Sequence, residues 1–303
     1  MTTPDPVVTR EVGSVPQRRD EAHKGEVGRV AIVGGCSGDV TMVGAPALAA
    51  NAAFRSGAGL VQIVVPEAIA TSVAVLAPCA TIRSLPTDAD ALLDALSDFG
   101  ADVVALGPGL GGSLAPDCVA EILSRFEGPV VLDADGLNLL AKAEAQEIKD
   151  PERAGNLNGS VVLTPHPGEA RRLLSSRGVD LAIDDTFPSR RAAVCALIEQ
   201  YGCTVVLKGH GTIVANRERL YANETGNAGM ATGGAGDVLT GIIAALIGQR
   251  MNPFEAAILG VYLHGLAGDF AAEELGRCSM TATDIIDYLP EAFCEHGTEE
   301  TAE

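Results

Sequence analysis

Lysine is almost missing from this 303-residue chain. Lys24, Lys142, Lys149 and Lys208 are the only four, and 21 basic residues face 40 acidic ones for a net charge of −19. A polyanionic nucleic acid would be repelled by that balance, and no basic cluster offsets it, so a nucleic-acid partner is not expected. Long apolar runs are missing too: no window reaches the ~20 apolar residues that span a bilayer. The opening stretch, MTTPDPVVTREVGSVPQRRDEAHKGE, is polar and mixed in charge. Neither a membrane partner nor a signal peptide is expected from it, and the expected location is cytoplasmic. Paired cysteines are absent. Cys36, Cys79, Cys118, Cys195, Cys203, Cys278 and Cys294 stand singly with no C-x-x-C, which argues against a zinc site or a disulfide framework. No G-x-x-x-x-G-K-[ST] occurs, which removes a P-loop nucleotidase. Repeats and interdomain linkers are missing as well, so one catalytic domain is expected over 27–290. It would lie between a loose leader (1–26) and a disordered acidic tail (291–303). The acidic, lysine-poor balance fits a salt-rich cytoplasm, where screening weakens self-repulsion, and a halophilic host is the expectation.

What is present is a large apolar core, 47% hydrophobic residues, arranged as alternating strands and helices. GRVAIVGG (28–35), LVQIVVP (60–66), ADVVALGPGLGG (101–112), PVVLDADG (129–136), GSVVLTPHPGE (159–169) and CTVVLKGHGT (203–212) each read as a buried strand. Helical runs follow, among them ALAANAAFRSG (47–57), DADALLDALSDFG (88–100), PFEAAILGVYLHGLAGDFAAEELG (253–276) and a short last helix near 281–289. TIVANRERLYAN turns near Asn216–Arg219 as an antiparallel hairpin. The expected fold class is α/β: a mostly parallel central sheet with helices on both faces and a small hairpin.

Open α/β sheets bind ligands beyond the carboxyl ends of their strands, so the loops there carry the candidates. The most telling is Gly226–Gly248, GNAGMATGGAGDVLTGIIAALIG, a glycine loop that becomes a helix with one acid, Asp237, in its first turn. A helix N-terminus suits an anion such as phosphate. An acid there would repel that anion unless it has a task, and the task proposed is taking a proton from a substrate hydroxyl. GPGLGG (107–112) fits the dinucleotide fingerprint, with Asp133 near the place of a ribose-binding acid, or else it is a glycine-lined wall. Asp133 and Asp135 read either as helix-capping acids or as a metal or phosphate-edge pair. TPHPGE (164–169) holds His166 between two prolines as a ligand contact, with Glu169 as a candidate for orienting hydrated Mg2+. LKGHGT (207–212) offers Lys208, bare backbone and Thr212 as a nucleotide cradle, or as a plain turn.

Six of these stretches come in one order: GAPALAANAAFRSGAGLV (44–61), GPGLG (107–111), VLDADGLN (131–138), LTPHPGE (163–169), VVLKGHGT (205–212) and GNAGMATGGAGDVLTG (226–241). Together they resemble the ribokinase-like superfamily, and within it the ADP- or ATP-dependent NAD(P)H-hydrate dehydratases. The resemblance implies a ribokinase-like three-layer sandwich, Mg2+, and ADP or ATP as co-substrate, with a lean towards ADP. The substrate would be NAD(P)HX, dehydrated by transient phosphorylation, with a separate epimerase acting on the same molecule. It also implies roles. Ala45, Gly109, His166 and Asp237 would line the substrate pocket, with Asp237 as base. Lys208, Gly209, His210, Gly211, Thr212 and Gly236 would hold the nucleotide. Gly233, Gly234, Ala235 and Gly236 would form the anion hole, and Glu169 would stand near the metal. His166 takes the place where many sugar kinases have Asn, which favours the dehydratase branch. A homo-oligomer, dimer or tetramer, is expected from the alanine- and glycine-rich late helices. The alternatives are a kinase of a vitamin-precursor alcohol such as hydroxyethylthiazole, and a nicotinamide oxidoreductase built on Gly107–Gly112.

Overall fold

Among the residues that the computed structural model describes, 6–147, 157 and 160–300, ten strands join in one sheet. The first half runs β1 (Val7–Thr9), β2 (Arg29–Val33), α1 (Gly44–Arg55), β3 (Leu60–Val65), α2 (Ala70–Leu76), β4 (Thr81–Ser84), α3 (Ala89–Phe99) and β5 (Val103–Leu106). Next come α4 (Pro116–Arg125), β6 (Val130–Leu132), α5 (Asp135–Glu147), β7 (Val161–Leu163), α6 (Pro167–Ser176) and α7 (Phe187–Tyr201). The last part is β8 (Thr204–Leu207), β9 (Ile213–Ala215), β10 (Arg219–Ala222), α8 (Ala235–Gly248), α9 (Pro253–Leu275) and α10 (Ala282–Glu300). The sheet order is β1-β10-β9-β8-β7-β6-β5-β2-β3-β4. β9 pairs antiparallel with both β8 and β10, and the other pairings are parallel. The carboxyl ends of β2, β5, β6, β7 and β8 therefore share one edge.

The central strands are buried on both faces, which is why they are continuous Val, Ile and Leu runs rather than alternating ones. One apolar cluster lies between the sheet and α1, α8, α9 and α10. A second lies on the opposite face with α3, α4, α6 and α7. The expected three-layer sandwich is what forms. Close approach of α1 to α8 depends on small residues: a Cβ added to Gly241 would lie 2.1 Å from the Ala49 carbonyl oxygen. Gly241→Ala should therefore cost about 1–3 kcal/mol of stability by overpacking, measured by urea unfolding. A variant as stable as wild type would show that the helices slide freely. The small residues of α8 and α9 are used up in this same packing, with Ala244, Ala256, Ala257, Gly260 and Ala267 buried within the single chain.

Both ends depart from expectation. Within the leader, Val7–Thr9 pairs with Arg219–Tyr221 as an edge strand, and the Arg18 guanidinium donates to the Gly57 carbonyl at 2.6 Å. The Lys24 carbonyl packs against Gly59 so tightly that a Cβ there would sit 2.0 Å away. The leader is laced to the domain, although residues 1–5 lie outside the described part. The last helix also runs on to Glu300 rather than ending near 289. Ala292 is buried, and the His296 ring reaches the Gly13 carbonyl at 3.0 Å, so tertiary contact carries the helix through the acidic stretch. Residues 301–303 of the tail lie outside the described part. β4 was not expected, since TIRS has a single apolar residue and forms by pairing with β3.

Candidate active site

Asp133, at the end of β6, is the hub of the shared edge. Its side chain is 1% exposed. One oxygen accepts from the Thr164 hydroxyl at 2.7 Å and from the Lys208 ammonium at 2.5 Å. The other accepts from the Thr240 hydroxyl of α8 at 2.8 Å. Three loops and a helix are thereby tied to one carboxylate, and its charge is answered by three donors. Burial pulls the Lys208 ammonium down, but Asp133, Glu169 and Asp237 together hold it above its ordinary range.

Lys208 also abuts the anion-suited end of α8, where a Cβ on Gly236 would stand 3.4 Å from its nitrogen. That end is reached through Gly234, whose φ of 94° is left-handed and so favours glycine. Within the first turn of that helix, Asp237 sits in a different setting from Asp133. Burial, then the charge of Asp133, raises its carboxyl to about 7, and Lys208 opposes the rise only in part. Two nearby acids, one fully answered by donors and one poised to gain or lose a proton near neutrality, is the pattern of an acid–base site.

TPHPGE makes the N-terminus of α6. His166 is the N-cap: its Nδ1 accepts from the Gly168 N–H at 2.9 Å, while Glu169 Oε2 accepts from the His166 N–H at 2.8 Å. Glu169 Oε1 faces His166 Nε2 at 3.4 Å. The His166 ring is half-exposed, and burial followed by Lys208 pushes its pKa down, so it presents a neutral imidazole to the edge. Both Glu169 oxygens are engaged within their own turn. Among the described residues, no group of three or more His, Cys, Asp or Glu could hold a metal ion. Glu169, the residue expected near the metal, is thus engaged in capping α6.

GPGLGG ends β5 as a wall. Gly107 lies against the Asp133 backbone so closely that a Cβ would fall 1.9 Å from its carbonyl oxygen, at a φ of 124°. Gly111 N–H donates to Asp135 at 2.8 Å, which gives that acid a loop-anchoring task. Gly109 packs on the start of α1, where an added Cβ would meet the Ala45 methyl at 2.9 Å, so the two expected wall residues are neighbours. α4 begins only at Pro116, and the last glycine does not open a helix as a dinucleotide fingerprint requires. Gly209, His210, Gly211 and Thr212 form an exposed turn, closed by the Thr212 hydroxyl donating to the Gly209 carbonyl at 2.9 Å.

Several residues here escaped sequence reading. Buried Arg190 of α7 lies beneath the turn and donates to the Leu207 and Lys208 carbonyls at 2.8 and 3.3 Å. Asp269 of α9 anchors the glycine loop, accepting from Gly226 N–H at 2.7 Å and from the Asn227 amide at 2.9 Å. His264, also on α9, bonds the Ala235 backbone at the start of α8, and burial drives its pKa to about 4. Thr164 and Thr240 complete the hub.

Comparison with known proteins gives a consistent result. The family model for NAD(P)H-hydrate dehydratase matches residues 30–291. A bifunctional NAD(P)H-hydrate repair enzyme of Moorella thermoacetica is 42% identical over 287 residues, 91% of this chain and 51% of the relative. An ADP-dependent (S)-NAD(P)H-hydrate dehydratase of Neisseria meningitidis is 40% identical, covering 86% of this chain and 82% of its own. The structure of an ADP/ATP-dependent NAD(P)H-hydrate dehydratase from Bacillus subtilis, co-crystallised with ATP/Mg2+, superposes at a TM-score of 0.75. It is 29% identical and covers 93% of this chain and 95% of its own. The chain spans about half the length of the bifunctional relatives it matches. The fold is ribokinase-like.

Proposed function

The chain belongs to the NAD(P)H-hydrate dehydratase family, and from that premise we propose that it returns (6S)-NADHX and NADPHX to NADH and NADPH. The donor is ADP or ATP. The observation that carries the reading is Asp237: an acid held at about 7, in the first turn of a helix whose N-terminus receives an anion, beside a buried lysine. In the reaction, Asp237 takes the proton of the ring C6 hydroxyl as that oxygen attacks the terminal phosphoryl group. Gly233, Gly234, Ala235 and Gly236 present N–H groups to the transferring phosphoryl, and Lys208 adds a fixed positive charge. The nucleotide leaves one phosphate shorter. The C6–O bond then breaks with loss of phosphate, a far better leaving group than hydroxide, and a ring proton departs to restore the dihydropyridine. Ala45 and Gly109 shape the wall beside the ring, His166 contacts it as a neutral imidazole, and Gly209–Thr212 hold the nucleotide.

The neighbouring reading is a kinase of a vitamin-precursor alcohol, which would stop at the phosphate ester. Incubation with NADHX, Mg2+ and either nucleotide separates the two. Recovery of dihydronicotinamide absorbance with one phosphate released per turnover is expected. Accumulation of a stable phosphate ester, or hydride transfer without nucleotide consumption, would sink the proposal. A cytoplasmic setting, read from the scattered cysteines, and a salt-rich one, read from the net charge of −19, belong to the same proposal.

A further inference from the structure

One ammonium stands among three carboxylates at the centre of this site, and it is part of the fold. Lys208 extends from the end of β8 with its side chain 17% exposed and binds Asp133 directly. Asp133, Glu169 and Asp237 all act on it electrostatically, and they come from three different elements, the end of β6, the first turn of α6 and the first turn of α8. Every oxygen of the two buried acids already faces a partner: Asp133 accepts from Lys208, Thr164 and Thr240, and Glu169 accepts from the His166 N–H and faces the His166 ring. Mg2+ needs a near-octahedral oxygen shell at short range and is usually taken by one or two free carboxylates plus water and phosphate. This arrangement offers the ion a positive charge at the place where it offers Lys208 a seat.

We infer that Lys208 is the resident cation of the site, filling the position that these carboxylates would otherwise give a divalent ion, so that the protein alone has no metal seat. A lysine suits this role because it is a compact point charge on a flexible stem. Its placement 3.4 Å from the Cβ position of Gly236 puts that charge against the N-terminus of α8, where the transferring phosphoryl arrives. Any divalent ion would then enter and leave on the nucleotide. The inference rests on the phosphoryl-transfer reading above and says which charge belongs to the protein.

The test uses Mn2+ as probe, read by the free-ion electron paramagnetic resonance signal, on the full chain without nucleotide or substrate. Wild type should show no saturable site. Lys208→Met should gain one saturable site per chain, binding on the order of 100-fold or more above the residual non-saturable binding of wild type, because like charges at contact distance repel strongly even at an effective dielectric of about 20. Adding Asp133→Asn to Lys208→Met should abolish the gained site. Should Lys208→Met not fold, wild type and Glu169→Gln decide alone. A saturable wild-type site that Glu169→Gln removes would overturn the inference, as would a folded Lys208→Met that binds Mn2+ no better than wild type. Absence of a site in wild type upholds it. Since no substrate is present, failure here leaves the dehydratase assay untouched, and failure of that assay leaves this measurement standing.

Discussion

Asp237→Asn should lower turnover by roughly 10²–10⁴-fold while ADP or ATP still binds. The amide keeps the shape of the side chain and loses the proton acceptor, so the effect should fall on kcat rather than on the nucleotide Kd. The same residue sets a pH dependence. Burial first, then Asp133, places its carboxyl at about 7. Only the ionised form can act as base, so kcat/KM should climb with pH through about 7 and flatten above it. Stability should run the other way. Between the ordinary value of 3.8 and about 7 the folded state keeps a proton that the unfolded state has lost, so this group lowers stability as pH rises across that window. Asp237→Asn removes the cost and should be more stable than wild type at pH 8, with the difference shrinking towards pH 4. Thermal unfolding at both pH values reads it. A variant that keeps half the activity, or is destabilised at pH 8, would show that Asp237 is a helix-capping acid and no more.

How far the sequence alone reaches depends on how local each cause is. The inner strands were legible because burial on both faces makes them unbroken aliphatic runs, as in VVAL of β5 and VVL of β6 and β7. β1 and β4 were not, since an exposed run of three or four residues becomes a strand only when a neighbour supplies the hydrogen bonds. The end of α10 was hidden for the same reason: the acidic run after 290 read as a tail, whereas the contact between His296 and Gly13 spans 283 residues. In the site, Asp237, Lys208 and the glycines stood out because each is odd in its place, an acid where an anion binds and a lysine in an apolar strand. The Thr240 hydroxyl meets Asp133 across 107 residues and Asp269 meets Gly226 across 43. On their own helices they look like ordinary residues of an apolar run.

The second large effect concerns that hub. Asp133→Ala should cost about 3–5 kcal/mol of stability, the range seen when one member of a buried ion pair is removed. The loss is not of one contact. Lys208 keeps a charge in a place with little water, and the Thr164 and Thr240 hydroxyls lose the acceptor that held them. At roughly 2–4 °C per kcal/mol this should appear as a melting temperature lower by roughly 6–20 °C. Lys208→Met alone should also destabilise, since it strands the Asp133 carboxylate. The double change, Asp133→Ala with Lys208→Met, should recover much of the loss, because no charge is left unpaired. That recovery separates an ion pair from mere cavity formation, which would add rather than cancel. Activity should not return with stability in the double variant, because the charge facing the phosphoryl group has gone. An Asp133→Ala protein within about 1 kcal/mol of wild type would mean that water reaches Lys208 freely and that the hub does not organise the edge.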